Sequence, residues 1–190
     1  PRGYALVLGV DDGGAFARTL ALGSELSVVV RDPDRQRLDR VVATATGLPG
    51  RRLAVHEGPT DKLPYVTGLF NLVLSCADLQ EGRVTLDDRE IRRVLSPHGG
   101  VDATGLDGAP RIMTPPSGEG SWTHFYADVG NTACSGDSRL SPDLRLQWFG
   151  RPGPRDMVDR HNRTVAPLYE GGRLYISGMD CFYGVDADNG

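Results

Sequence analysis

From residue 4 to residue 104 the chain predicts an α/β fold, a doubly wound parallel sheet, and from about residue 120 it predicts all-β structure. Three observations carry this. Short, wholly apolar runs alternate with stretches of helical period, the rhythm of βα units whose sheet is covered on both faces. A glycine-rich turn, Gly9-Val10-Asp11-Asp12-Gly13-Gly14, joins the first apolar run to the first helix. The last twenty residues alternate apolar and polar side chains with period two, the pattern of half-buried antiparallel strands.

Tyr4-Ala5-Leu6-Val7-Leu8 is the first strand, apolar on both faces. After the glycine turn a helix opens at Ala15 and runs to about Leu22. Strand, glycine turn and helix in that order bring backbone N–H groups and a helix N-terminus up to a nucleotide. The spacing then predicts a strand over residues 26–30, a helix over 34–46, strands over 52–56 and 70–75, a helix over 88–95 and a strand over 101–104. Ile91, Val94 and Leu95 share one face of their helix, as a core stripe requires. Residues 105–110 and 115–120 carry proline and glycine linker signals. The domains expected are therefore 1–108, a linker over 109–120, and a second module over 121–190. A sheet that ends at five strands leaves an open edge that something must cover. In the second module Leu174 and Ile176, then Phe182 and Gly184, mark a hairpin with Met179-Asp180 at its turn.

The 190 residues suffice for one ordinary domain and a smaller one. A formal net charge of −4 argues against a nucleic-acid surface, which carries clustered excess positive charge. Of 21 basic residues only Lys62 is lysine, so chemistry that needs a Schiff-base or phosphate-binding lysine has one candidate. Cys76, Cys134 and Cys181 are widely spaced, without a Cys-x-x-Cys or Cys/His cluster, so no metal site is expected and no disulfide is required. No apolar run reaches the length of a membrane span. His56 and His98 read as structural, and His124 and His161 as surface-loop residues. Asn162-Arg163-Thr164 fits a glycosylation sequon, which matters only in a glycosylating secretory pathway.

Residues 4 to 105 resemble the core half of a class I S-adenosylmethionine-dependent methyltransferase. The resemblance lies in Val7-Leu8-Gly9-Val10-Asp11-Asp12-Gly13, in Leu63-Pro64-Tyr65, in Phe70-Asn71-Leu72-Val73-Leu74-Ser75, and above all in Glu90-Ile91-Arg92-Arg93-Val94-Leu95-Ser96-Pro97-His98-Gly99-Gly100. It implies a Rossmann-like parallel sheet of order 3-2-1-4-5. It also implies a cofactor site built from Gly9, Asp11 and Gly13 in the loop, with Asp32 and Asp61 as the acids for ribose and adenine. The chain departs from the family at three places. Asp11 stands at the middle glycine of the loop, Val30 falls where the ribose acid belongs with Asp32 two residues late, and Pro59 falls where the adenine acceptor belongs with Asp61 two residues on. Each such contact is worth about 1–3 kcal/mol when its loss leaves a bound group unpaired. The catalytic residues are unknown: Asp78, just after the fourth strand, is a candidate general base, but reads more readily as a solvated loop aspartate.

Trp122-Thr123-His124-Phe125-Tyr126-Ala127-Asp128-Val129-Gly130-Asn131-Thr132, the Trp148 segment, and the terminal runs Gly171 to Gly178 and Val185 to Gly190 resemble the first blade of a pyrroloquinoline-quinone-like repeat propeller. The two modules together resemble a group of large, exported bacterial proteins, which implies the periplasm or the cell surface. A single blade does not close a propeller, so the remaining blades come from the same polypeptide or another chain. Quinone itself is not expected, since the residues that would bind it belong to other blades. Two functions follow. One is a non-catalytic binding or assembly protein, with a degenerate methyltransferase-like domain that needs no cofactor, beside a propeller that engages protein partners. The alternative is an S-adenosylmethionine-dependent methyltransferase of undefined acceptor, with Asp32 and Asp61 substituting from neighbouring positions.

Overall fold

The computed structural model describes residues 2–11, 13–45, 47–48, 52–76, 85–105, 108–150, 156–157 and 165–190. It divides into two compact units, one ending at Met113 and the other spanning Thr114–Gly190.

In the first unit the elements run β1 (Arg2–Leu8), α1 (Ala15–Gly23), β2 (Glu25–Asp32), α2 (Arg35–Thr44), β3 (Leu53–Glu57), β4 (Leu72–Ser75), α3 (Asp88–Val94), β5 (Val101–Ala103) and β6 (Arg111–Ile112). They form one six-stranded sheet of order β3-β2-β1-β4-β5-β6. The first five strands are mutually parallel and have the expected Rossmann-like order 3-2-1-4-5. The sixth pairs antiparallel with β5. The open edge expected beside the fifth strand is covered by residues from the span expected as a linker. Arg111 and Ile112 cover that edge, and Met113 extends the pairing by donating its N–H to Gly100 O at 2.8 Å.

Alternation along β1 builds two cores. Ala5 and Val7 enter a cluster with Val28 and Val30 of β2, Ala17 and Ala21 of α1, and Leu38 and Val41 of α2. Leu6 and Leu8 enter the opposite cluster with Phe70, Val73 of β4, and Ile91 and Val94 of α3. A strand buried on both faces must be apolar throughout, which is why these runs stand out in the sequence.

The helices start where capping residues allow. Asp34 accepts a hydrogen bond from Gln36 N at 2.8 Å ahead of α2, and Asp87 accepts one from Arg89 N at 2.8 Å ahead of α3. Asp88 and Glu90 in the first turn of α3 and Arg92 and Arg93 in its last complement the helix dipole. Ahead of α1 stands Gly14 at φ +78°, where a Cβ would lie 2.7 Å from Val41 Cγ2 of α2, so the turn reaches this close to α2 only without a side chain.

In the second unit β7 (Leu168–Glu170), β8 (Arg173–Gly178) and β9 (Cys181–Asp186) form a three-stranded antiparallel sheet in sequence order. The expected hairpin is β8 and β9, with Asp180 at φ +54° in its turn. Trp122 and Tyr169 exchange N–H to O hydrogen bonds of 2.8 Å, which adds one bridge to the outer edge of β7. Trp148 Nε1 donates to Ala187 O at 2.8 Å and ties the extended segment around it to the end of β9. This is a small antiparallel sheet; a complete four-stranded blade and a propeller are not seen among the described residues. No helix of the described residues is long and apolar enough to cross a membrane.

Candidate functional site

The C-terminal ends of β1, β2, β3 and β4 lie along one edge of the parallel sheet. In open α/β sheets ligands bind at this edge, where the connections from the central strands diverge to opposite faces. Here the divergence falls between β1, which leads to α1 on one core, and β4, which leads toward α3 on the other.

The loop after β1 is held from both sides. Gly9 and Gly13 adopt φ +83° and +84°. Gly9 N donates to Arg31 O at 2.8 Å, and Val10 N donates to Asp32 Oδ2 at 2.9 Å. Asp11 stands in this loop at the position of the middle glycine. Its carboxylate turns toward the helix, where Oδ2 accepts from Phe16 N at 2.9 Å and supplies the cap that Gly14 cannot. A carboxylate goes there because the first N–H groups of a helix lack partners and carry partial positive charge.

Asp32 is the last residue of β2 and is 1% exposed. The expectation that Val30 ends the strand and that Asp32 follows late is corrected, because pairing continues through Arg31 with β1 and through Asp32 with β3. Its Oδ1 accepts from Asp34 N at 2.7 Å while Oδ2 holds Val10 N, so one buried carboxylate joins the end of β2 to the loop after β1.

After β3 the chain is shaped by Arg31. This buried guanidinium donates from Nε to Pro59 O at 2.6 Å and from Nη1 to Glu57 O at 3.3 Å, and it lies 6.0 Å from the centre of the Tyr65 ring. Thr60 is buried, and its hydroxyl donates to Thr85 O at 2.6 Å. The Pro59 carbonyl and the Thr60 hydroxyl are thus engaged within the protein, whereas Asp61 is exposed. Tyr65 OH lies 3.0 Å from His56 Nδ1, and burial raises the tyrosine pKa above its ordinary value.

Cys76 follows β4 and is a site residue that sequence reasoning missed. It is 3% exposed, and burial pushes its thiol up to about 11, with the nearby negative charges of Asp11 and Asp32 acting in the same direction. The thiol is neutral at physiological pH and is not a nucleophile. Its meaning depends on the two carboxylates that only the fold brings near it. Arg31 was missed for a similar reason, since nothing in the sequence distinguishes it from surface arginines.

The structure therefore brings Gly9, Asp11, Gly13 and Asp32 together around one loop and leaves Asp61 exposed on the turn after β3. Asp78, His161 and the Asn162-Arg163-Thr164 sequon lie outside the described residues. Among the described residues no group of three His, Cys, Asp or Glu is placed to hold a metal. A pocket of about 430 Å³ beside the loop is lined by Gly13, Ala15, Arg18, Thr19 and Thr44. A smaller one of about 210 Å³, in the second unit, is lined by His124, Phe125, Tyr175 and Phe182 among others.

No protein-family model matches the chain, and no curated protein sequence matches it. Among solved structures the chain is similar to one described as an S-adenosyl-L-methionine-dependent methyltransferase from Methanococcus maripaludis, at 21% identity and a TM-score of 0.45 over 53% of this chain and 46% of that one. It is similar to an S-adenosylmethionine-dependent methyltransferase from Mesorhizobium loti, at 24% identity and a TM-score of 0.41 over 52% of this chain and 44% of that one. It is also similar to the MccD protein, at 19% identity and a TM-score of 0.38 over 53% and 44% of the two chains. The chain spans less than half the length of each of these structures.

Proposed function

We propose that the first unit binds S-adenosylmethionine at the C-terminal edge of its sheet, as part of a methyltransferase whose acceptor is undefined. The observation that carries this reading is Asp32. A nearly fully buried carboxylate ends β2 and is bonded to the loop after β1, the place from which an acid can accept from a ribose diol. An ionised carboxylate has about four lone-pair sites. With Val10 N and Asp34 N bound, Asp32 keeps acceptor capacity for ligand hydroxyls. The residues fit the cofactor well at the ribose end and less well at the base, where the engaged Pro59 and Thr60 leave Asp61 as the acceptor for the adenine amino group. The cofactor, when bound, supplies the methyl group on its sulfonium. The protein supplies orientation, which suffices where an acceptor arrives with its own nucleophile. Calorimetric titration with S-adenosylmethionine and S-adenosylhomocysteine is the test. Micromolar binding supports the reading, and silence up to millimolar ligand overturns it.

A second reading, a binding or assembly protein completed by further propeller strands, is favoured by the second unit. Among the described strands β9 pairs on one side only, and Phe125, Tyr126 and Phe182 are more than half exposed. An uncovered strand edge beside exposed aromatics accepts another strand. Hydrogen exchange across β9 tests it: slow exchange of every β9 amide in the chain by itself would argue that no strand is missing.

A further inference from the structure

In nucleotide-binding α/β sheets the helix after the first strand seats a phosphate on its free N–H groups. In this chain that seat is filled from within. Asp11 Oδ2 accepts from Phe16 N at 2.9 Å, and none of the nine residues of α1 is an acid in its first turn, so Asp11 is the group that answers the positive end of the helix. The N–H groups of Gly9 and Val10 are likewise bonded, to Arg31 O and to Asp32 Oδ2. A phosphate arriving here would have to displace a tethered carboxylate and lie close to a second one, and like charges brought together cost several kcal/mol. The field of these two carboxylates is already felt by the Cys76 thiol, which they make harder to ionise, beyond the larger effect of burial.

We propose that Asp11 is a specificity-determining residue: it closes the N-terminus of α1 to phosphate and restricts the loop to nucleosides that carry none. The inference rests on the reading of this edge as a nucleoside site, and it names the ligand class that the loop accepts. It also gives the departure from the family's glycine pattern a role. Asp11 does not block the loop but selects what enters it.

The test uses the whole chain as wild type, Asp11→Gly and Asp11→Asn, with adenosine and ADP as probes. The wild type is expected to bind ADP at least about tenfold more weakly than adenosine, and Asp11→Gly to narrow that ratio of ADP to adenosine affinity by about tenfold. Asp11→Asn keeps the hydrogen-bond acceptor and loses the charge, so it should lie between the two. Circular dichroism confirms that α1 persists in each variant. Equal adenosine and ADP affinities in the wild type, or an unchanged ratio in Asp11→Gly, would overturn the proposal. A separate arm compares Tm in phosphate and in chloride at matched ionic strength. Asp11→Gly should gain a phosphate-dependent rise of about 2 °C that the wild type lacks, and its absence also overturns the proposal. If adenosine binds and is preferred over ADP as expected while S-adenosylmethionine binds neither protein, the inference stands and the methyltransferase reading fails.

Discussion

Asp32 and Cys76 share the same edge of the sheet but answer to different physics. The carboxylate of Asp32 is buried because it has backbone N–H partners at Val10 and Asp34. Asp32→Ala leaves those groups without their acceptor and should destabilise the first unit by about 1–3 kcal/mol, whereas Asp32→Asn, which retains an acceptor oxygen, should cost less. Urea unfolding followed by far-UV circular dichroism measures both. Cys76 is a buried neutral thiol, and Cys134 and Cys181 are exposed. A thiol reagent at neutral pH should therefore modify two cysteines quickly and the third only after unfolding. Rapid reaction of three would show that the loop after β1 opens in solution.

At the scale of elements, α3 is clamped to the turn before β4 by one ion pair. Arg93 Nη1 donates to Tyr65 O at 2.7 Å and Nη2 to Leu63 O at 2.8 Å, while Glu90 accepts from Arg93 Nε at 2.7 Å and from Leu63 N at 2.9 Å. These bonds, led by that of Arg93, hold the Glu90 carboxyl down at about 2. A folded pKa below the unfolded value of about 4.3 stabilises the fold above the unfolded pKa, and that contribution is lost as pH falls toward the folded one. Tm should therefore fall between pH about 4.3 and about 2, and the fall should be shallower in Glu90→Gln. An unchanged slope would mean that the clamp is absent in solution. Arg111 performs a related task at the other end of α3, pairing with Asp88 of the helix and with the buried Asp102 of β5. Those ion pairs reinforce the backbone pairing that makes a strand of a segment whose composition signals a linker.

At the scale of the molecule, all described helices lie in the first unit, and both tryptophans, Trp122 and Trp148, lie in the second. Helical circular dichroism and tryptophan fluorescence thus report on different units, and their denaturation curves should separate if each unit unfolds by itself. Coincident curves would show a single cooperative body instead. The apolar runs that place β1, β2 and β4 were legible because the central strands of a covered parallel sheet are buried on both faces, and α2 and α3 begin within a residue of their predicted starts, behind the capping aspartates Asp34 and Asp87. β2 was read two residues short, because Arg31 looks like the end of a strand until its guanidinium finds the carbonyls of Glu57 and Pro59. β6 was missed because its pairing depends on Asp102 and Gly100, residues about ten positions away in the chain. The sequence by itself determined the α/β alternation and the glycine loop, which follow from local pattern and the burial of whole faces, while the strand order came only with the family resemblance. Only the tertiary structure decided where the carboxylates of Asp11 and Asp32 point and why Cys76 stays protonated, because hydrogen bonds and electric fields depend on distances in space that residue order does not contain.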